Sequence, residues 1–126
     1  MAYSVTTVKG REKFAQAHGT SGVLPKIVKM AFGDGGVDGS LEPVAPVTEL
    51  TELGNELLRK DLEAVSYPVT TTVRYTGRLL TTELNGMNIN EIALVDADGD
   101  VIAIKRFTNK GKDVDSELVF DWNEEF

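Results

Sequence analysis

The sequence predicts an α+β fold, an antiparallel β-sheet of about five to seven strands covered on one face by two helices, in a single domain over residues 1–126. Three observations predict it. Short β-branched runs alternate apolar and polar residues, as in Val69, Thr71, Val73 and Tyr75. Turn formers such as Asn85-Gly86 and Asp98-Gly99 separate these runs at hairpin spacing. Two further segments carry apolar residues at helical spacing. With 126 residues, 41% hydrophobic and 26% charged, the chain has material for one packed core.

The first helix follows Thr6 or Thr7 as N-cap, takes its apolar positions from Val8, Phe14, Ala15 and Ala17, and stops at Gly19. Gly10 opposes it. From Pro25 to Phe32 the period changes to two, with Val28, Met30 and Phe32 on one side and Lys29 on the other. Gly33, Gly35, Gly36 and Gly39, with Pro43 and Pro46, then mark 33–46 as a long surface loop. Leu50, Leu53, Leu57 and Leu58 predict the second helix over 48–59, capped by Thr48.

Beyond it, 62–66 and 69–75 read as two strands turning at Tyr67-Pro68. Ile89 to Val95 and Val101 to Phe107 form a hairpin around Asp96-Ala97-Asp98-Gly99, with Gly99 at positive φ. A polar stretch over 108–115 precedes a last strand in which Leu118, Phe120 and Trp122 alternate with Val119 and Asp121.

No motif defines a catalytic, metal or cofactor site. Asp96, Asp98 and Asp100 take positions one, three and five of a calcium loop, but Val101 and Phe107 stand where that loop needs Gly and a bidentate Glu. Starting at Asp34, the twelfth position is Ala45. Gly33-Asp34-Gly35-Gly36 lacks the Gly-Lys-Ser/Thr of a phosphate loop, and Asp34 would repel phosphate. His18, the only histidine, sits at the end of the first helix, where it suits the negative pole of the dipole. Trp122 reads as a core residue with a rival role as an interface anchor, and Phe126, at the terminus, as an interface residue.

A net charge of −7 opposes binding to nucleic acid. It is unevenly placed: Lys9, Arg11, Lys13, Lys26 and Lys29 against Glu12 give residues 1–30 a formal +4, leaving −11 for the rest. The two parts can attract each other, within one chain or between chains. Without cysteine there is no disulfide, so packing or assembly must supply stability. The N-terminus lacks the apolar run of a signal peptide, and no run of about 18 apolar residues offers a membrane span.

Taken together, Thr7-Val8-Lys9-Gly10-Arg11, Met30-Ala31-Phe32-Gly33-Asp34-Gly35, Leu50 through Asn55-Glu56-Leu57 to Arg59, Asn90-Glu91-Ile92-Ala93-Leu94 and Asp98-Gly99-Asp100-Val101-Ile102-Ala103 resemble the phage tail-collar fibre family in order and spacing. The resemblance implies a non-catalytic module without cofactor that attaches a trimeric fibre to the baseplate. Its partners would be two further copies and the baseplate or other tail proteins. It would be made in the host bacterial cytoplasm and placed in the virion tail. Family members commonly continue into a shaft and receptor-binding tip, whereas this chain stops at Phe126. Attachment is therefore the part of the role expected here, with direct binding of a host-surface glycan as the alternative.

Overall fold

Period-two alternation governs more of the chain than the sequence suggested. The computed structural model describes residues 2–126. Among them, eight strands and one short helix form two antiparallel sheets, which corrects the expected sheet with two helices. In chain order these are β1 Tyr3–Thr6, α1 Val8–Gln16 with a π-helical turn Ala17–Ser21, β2 Ile27–Gly33, β3 Glu56–Asp61, β4 Ala64–Val69, β5 Thr72–Leu79, β6 Asn88–Asp96, β7 Val101–Gly111 and β8 Leu118–Glu125. The larger sheet runs β1-β7-β6-β2-β3 and the smaller β4-β5-β8.

The sheets pack face to face. Met30, Phe32, Ile92, Leu94 and Phe107 of the larger sheet share one core with Tyr75, Leu79, Phe120 and Trp122 of the smaller. Phe120 lies between Phe32 and Phe107, with ring centroids 5.6 and 5.7 Å away. Each such side chain contributes about 1.5–3 kcal/mol when fully buried. At Gly77 the sheets approach so closely that a Cβ would overlap Met30 Sδ.

The second helix does not form. Gly54-Asn55 breaks the segment, Leu50 and Leu53 pack on the outer face of the larger sheet, and Leu57 and Leu58 belong to β3. Helical spacing of these leucines reflects two separate packing demands, because β2 offers an edge that residues 56–61 pair with. The β4–β5 turn lies at Thr70-Thr71, since Pro68 is accommodated in edge strand β4, where no donor is required of it. Strand β7 runs on to Gly111, into the segment read as polar loop, and β1 lies in a segment without a local strand signal.

Helix α1 begins where expected: the Thr7 hydroxyl accepts from the Gly10 amide at 3.0 Å. The α-helix itself closes at Gln16, and the π-helical turn carries the coil past Gly19 to Gly22, at φ 64°. Gly10, which opposed the helix, permits its docking, because a Cβ there would stand 2.8 Å from the Ile102 carbonyl oxygen. The β6–β7 hairpin turns as the sequence predicts, with Gly99 at φ 86°. Gly99→Val should therefore lower stability by about 1 kcal/mol or more, since β-branched residues resist positive φ. An unchanged denaturation midpoint would contradict this account of the turn.

Candidate functional site

Two charged clusters stand out, at opposite ends of central strand β6. At its start Glu91 is fully buried, although the apolar run around it gives no hint of a charge centre. Its Oε2 accepts the amides of Gly35 and Asn55, each at 2.8 Å, and its Oε1 that of Gly54 at 2.9 Å. Arg106 Nε lies 3.5 Å from Oε1. That approach pairs the charges without hydrogen-bond geometry, and Arg106 Nε is the one buried side-chain polar atom without a hydrogen bond among the described residues.

Neighbouring Asn90 extends the cluster. Its Oδ1 accepts the Gly36 amide at 2.7 Å, and its Nδ2 donates to the Asp34 carbonyl at 3.1 Å and to Asn109 Oδ1 at 3.0 Å. The Asn55 amide side chain donates to Asp34 Oδ1 at 2.7 Å. Gly35 and Gly54 meet back to back, and a Cβ on Gly35 would fall 2.6 Å from the Gly54 carbonyl carbon. The glycine-rich loop thus does form an anion cradle, and the anion is the protein's own carboxylate. Its spent amides are not available to a phosphate.

At the other end of β6, the oxygens of Asp96, Asp98 and Asp100 converge within 4.8 Å of one another. The Lys13 ammonium stands among them, 2.6, 3.1 and 2.7 Å from the three carboxylates. Asp96 is buried, and its Oδ1 also accepts the amides of Asp98 and Asp100 at 3.0 Å each. A cation is thus supplied covalently by α1. Sequence reading singled out the acids and not the lysine, because 83 residues separate Lys13 from Asp96.

These contacts shift the titrations. Burial works to lower the Lys13 pKa, but hydrogen bonds to Asp100, Asp96 and Asp98 outweigh it and raise it above the usual lysine value. The hydrogen bond from Lys13 holds Asp100 below the usual carboxylate range against an opposing desolvation. Glu83 is also depressed: burial opposes this, but the Leu80 amide and Lys60, 2.7 Å away, prevail.

A third feature is apolar. A cavity of about 200 Å³ opens between α1 and the end of the smaller sheet, lined by Phe14, Leu24, Ile27, Val73, Tyr75 and Phe126 among others. Tyr75 donates its hydroxyl to Glu124 at 2.9 Å; burial first, then the Glu124 charge, pushes the phenol pKa up. Of the residues singled out from sequence, Trp122 is 9% exposed in the shared core, while Phe126 is 71% exposed at this cavity. His18 is exposed in the π-helical turn and touches neither charged cluster.

A helix-capped β-sandwich whose charged clusters bind its own loops and helix to one strand is a domain of the structural β class. The chain belongs to the phage tail-collar fibre protein family: the family's N-terminal domain matches residues 1–119. That membership makes it a structural component of a phage tail fibre, carried in the virion tail and associated with other tail proteins. No curated protein and no solved structure matches the chain. No helix is long and apolar enough to cross a membrane among the described residues.

Two outcomes test the charged clusters. Glu91→Gln should cost more than about 2 kcal/mol in chemical denaturation, since one amide oxygen cannot serve three donors and the new NH2 opposes an existing one. For Lys13 and Asp100, and for Glu83 beside Lys60, the signs are opposite at the two pH extremes. Asp100 and Glu83, depressed on folding, stabilise above the unfolded carboxylate value of about 4, and this is lost as pH falls through their lower folded values. Lys13, raised on folding, stabilises below about 10.4 and loses this as pH climbs through its higher folded value. Melting temperature should therefore be level between about pH 5 and 10. The gap between wild type and Lys13→Met should narrow as pH falls toward about 3; a constant gap would contradict the pairing.

Proposed function

We propose that this domain is a non-catalytic attachment module that joins a tail fibre to the baseplate as a homotrimer, without nucleic acid, metal or cofactor. The observation that carries the reading is the family match over residues 1–119. Geometry supports it in two ways. Both charged clusters are engaged in cohesion: the Glu91 oxygens by loop amides and the Asp96 turn by Lys13. The surface also exposes large apolar side chains, including Val65, Tyr67 and Val69 of β4 and the terminal Phe126. Aromatic side chains of this kind anchor protein interfaces. Phe126 is accordingly an interface residue, whereas Trp122 acts from the core by holding β8 in place.

Two measurements test the reading. Purified domain added to tails stripped of fibres should bind them and leave host-surface glycans on an array unbound. Glycan binding without tail binding would replace attachment with the receptor-binding alternative. Light scattering after size exclusion should give three chain masses at micromolar concentration in low and high salt alike, because apolar contacts are not screened as surface charges are. A monomer mass in both would sink autonomous trimerisation.

A further inference from the structure

The inner face of the smaller sheet is longer than the sheet that covers it. Val65, Val73, Tyr75, Trp122 and Glu124 share this face by cross-strand register, Val65 opposite Tyr75, Tyr75 opposite Trp122 and Val73 opposite Glu124, and Tyr67 and Phe126 line the hollow at its end. Tyr75 and Trp122 are buried under the larger sheet. Val65, Tyr67 and Phe126 overhang it at 48%, 67% and 71% exposure. Beneath the overhang the wall is completed by α1 through Phe14 and by Leu24 of the strap leading into β2. The hollow continues under β4, between Ile27, Val65 and Tyr67. Lys26 borders both parts and has no ion-pair partner among the described residues; Lys9 and Arg11 on α1 have none either.

The complementary chemistry lies elsewhere on the same chain. Loop 38–52 holds four acidic residues, Asp38, Glu42, Glu49 and Glu52, and no Lys or Arg. None of the four forms an ion pair among the described residues. Between them Leu41, Val44 and Val47 are exposed, at 61%, 43% and 58%. Leu41 sits at φ 62°, a conformation unusual for a non-glycine residue, so the loop holds an apolar side chain outward at a backbone cost. The loop packs through Leu50 and Leu53 on the outer face of the larger sheet, whereas the overhang belongs to the inner face of the smaller.

We propose that the overhang between α1 and β4 docks the acidic, apolar-tipped loop 38–52 of a second copy of this chain. The apolar residues of the loop cover Tyr67 and Phe126, and its carboxylates meet Lys26 and the basic face of α1. Because donor and acceptor surfaces differ, the contact is head to tail and propagates until a rotation closes it into a ring. This deepens the self-association proposed above and rests on it. Lys13 and Lys29 pair within the chain, and the remaining basic residues of the N-terminal part, Lys9, Arg11 and Lys26, thereby find their opposite charge between chains, where rim charges steer encounter and register more than they add affinity.

The chain has no cysteine, which makes cross-linking the test. Tyr67→Cys and Leu41→Cys replace exposed residues and should leave the fold intact, checked by melting temperature. A short bismaleimide should join the two single variants when they are mixed, join neither to itself, and give dimers and larger closed species from the double variant. Adding Lys26→Glu should lower the mixed yield by up to about fivefold, the range of a rim ion pair. Tyr67→Cys linking to itself would overturn head-to-tail docking in favour of a two-fold contact. No link while light scattering still reports oligomers would overturn this docking surface and leave self-association standing. No link with a monomer mass would overturn both, and tail binding would decide attachment alone.

Discussion

The carboxylate of Glu91 is the constraint on which much of this structure depends. A buried charge costs several kcal/mol unless donors surround it, and strand β6 supplies none to its own side chain. The donors come from Gly35, Gly54 and Asn55, on two loops far apart in sequence. Satisfying one carboxylate thus pins both loops to the sheet and places Leu53 on its outer face. It also explains the glycines, since the two chain segments can approach one carboxylate together only where Gly35 and Gly54 lack side chains.

Lys13 does the equivalent at the far end of β6. Its ammonium joins α1 to the hairpin turn through three carboxylates, of which Asp96 is buried. The central strand is thus held at each end by charge and along its length by the packing of Ile92 and Leu94. In a chain without cysteine, these clusters tie loops and helix to the sheet as cross-links elsewhere do. These two clusters are turned inward for cohesion, and apolar side chains such as Tyr67 and Phe126 are left exposed.

Residues that carry the family likeness coincide with these constraints. Gly33-Asp34-Gly35, Asn55 and Asn90-Glu91 build the carboxylate cradle, and Gly10 lets α1 lie on β7. Asp98-Gly99-Asp100 forms the turn that Lys13 grips. A family resemblance was legible in the sequence because these positions depend on residue type: a nest needs glycine amides, and the turn needs positive φ. Their joint purpose was not legible, since the glycine loop alone resembled a failed phosphate loop and the acidic turn a failed calcium loop.

By itself the sequence determined the β6–β7 hairpin, a helix cap at Thr6 or Thr7, the alternating strands β2, β5 and β8, and the family, all from local pattern or residue order. Local signals suffice there because a cap, a turn or a period-two face is decided within a few residues. Tertiary structure decided the rest. Whether 48–59 became helix or strand depended on the open edge of β2, and Leu50 to Leu58 read as helical only while that edge was out of view. Strand β1 exists because β7 accepts it, from Tyr3 beside Arg106 to Thr6 beside Ala103. The pairings of Glu91 with Gly35 and of Lys13 with Asp96 span 56 and 83 residues, and no local pattern encodes the meeting of side chains that only the packed sheets bring together.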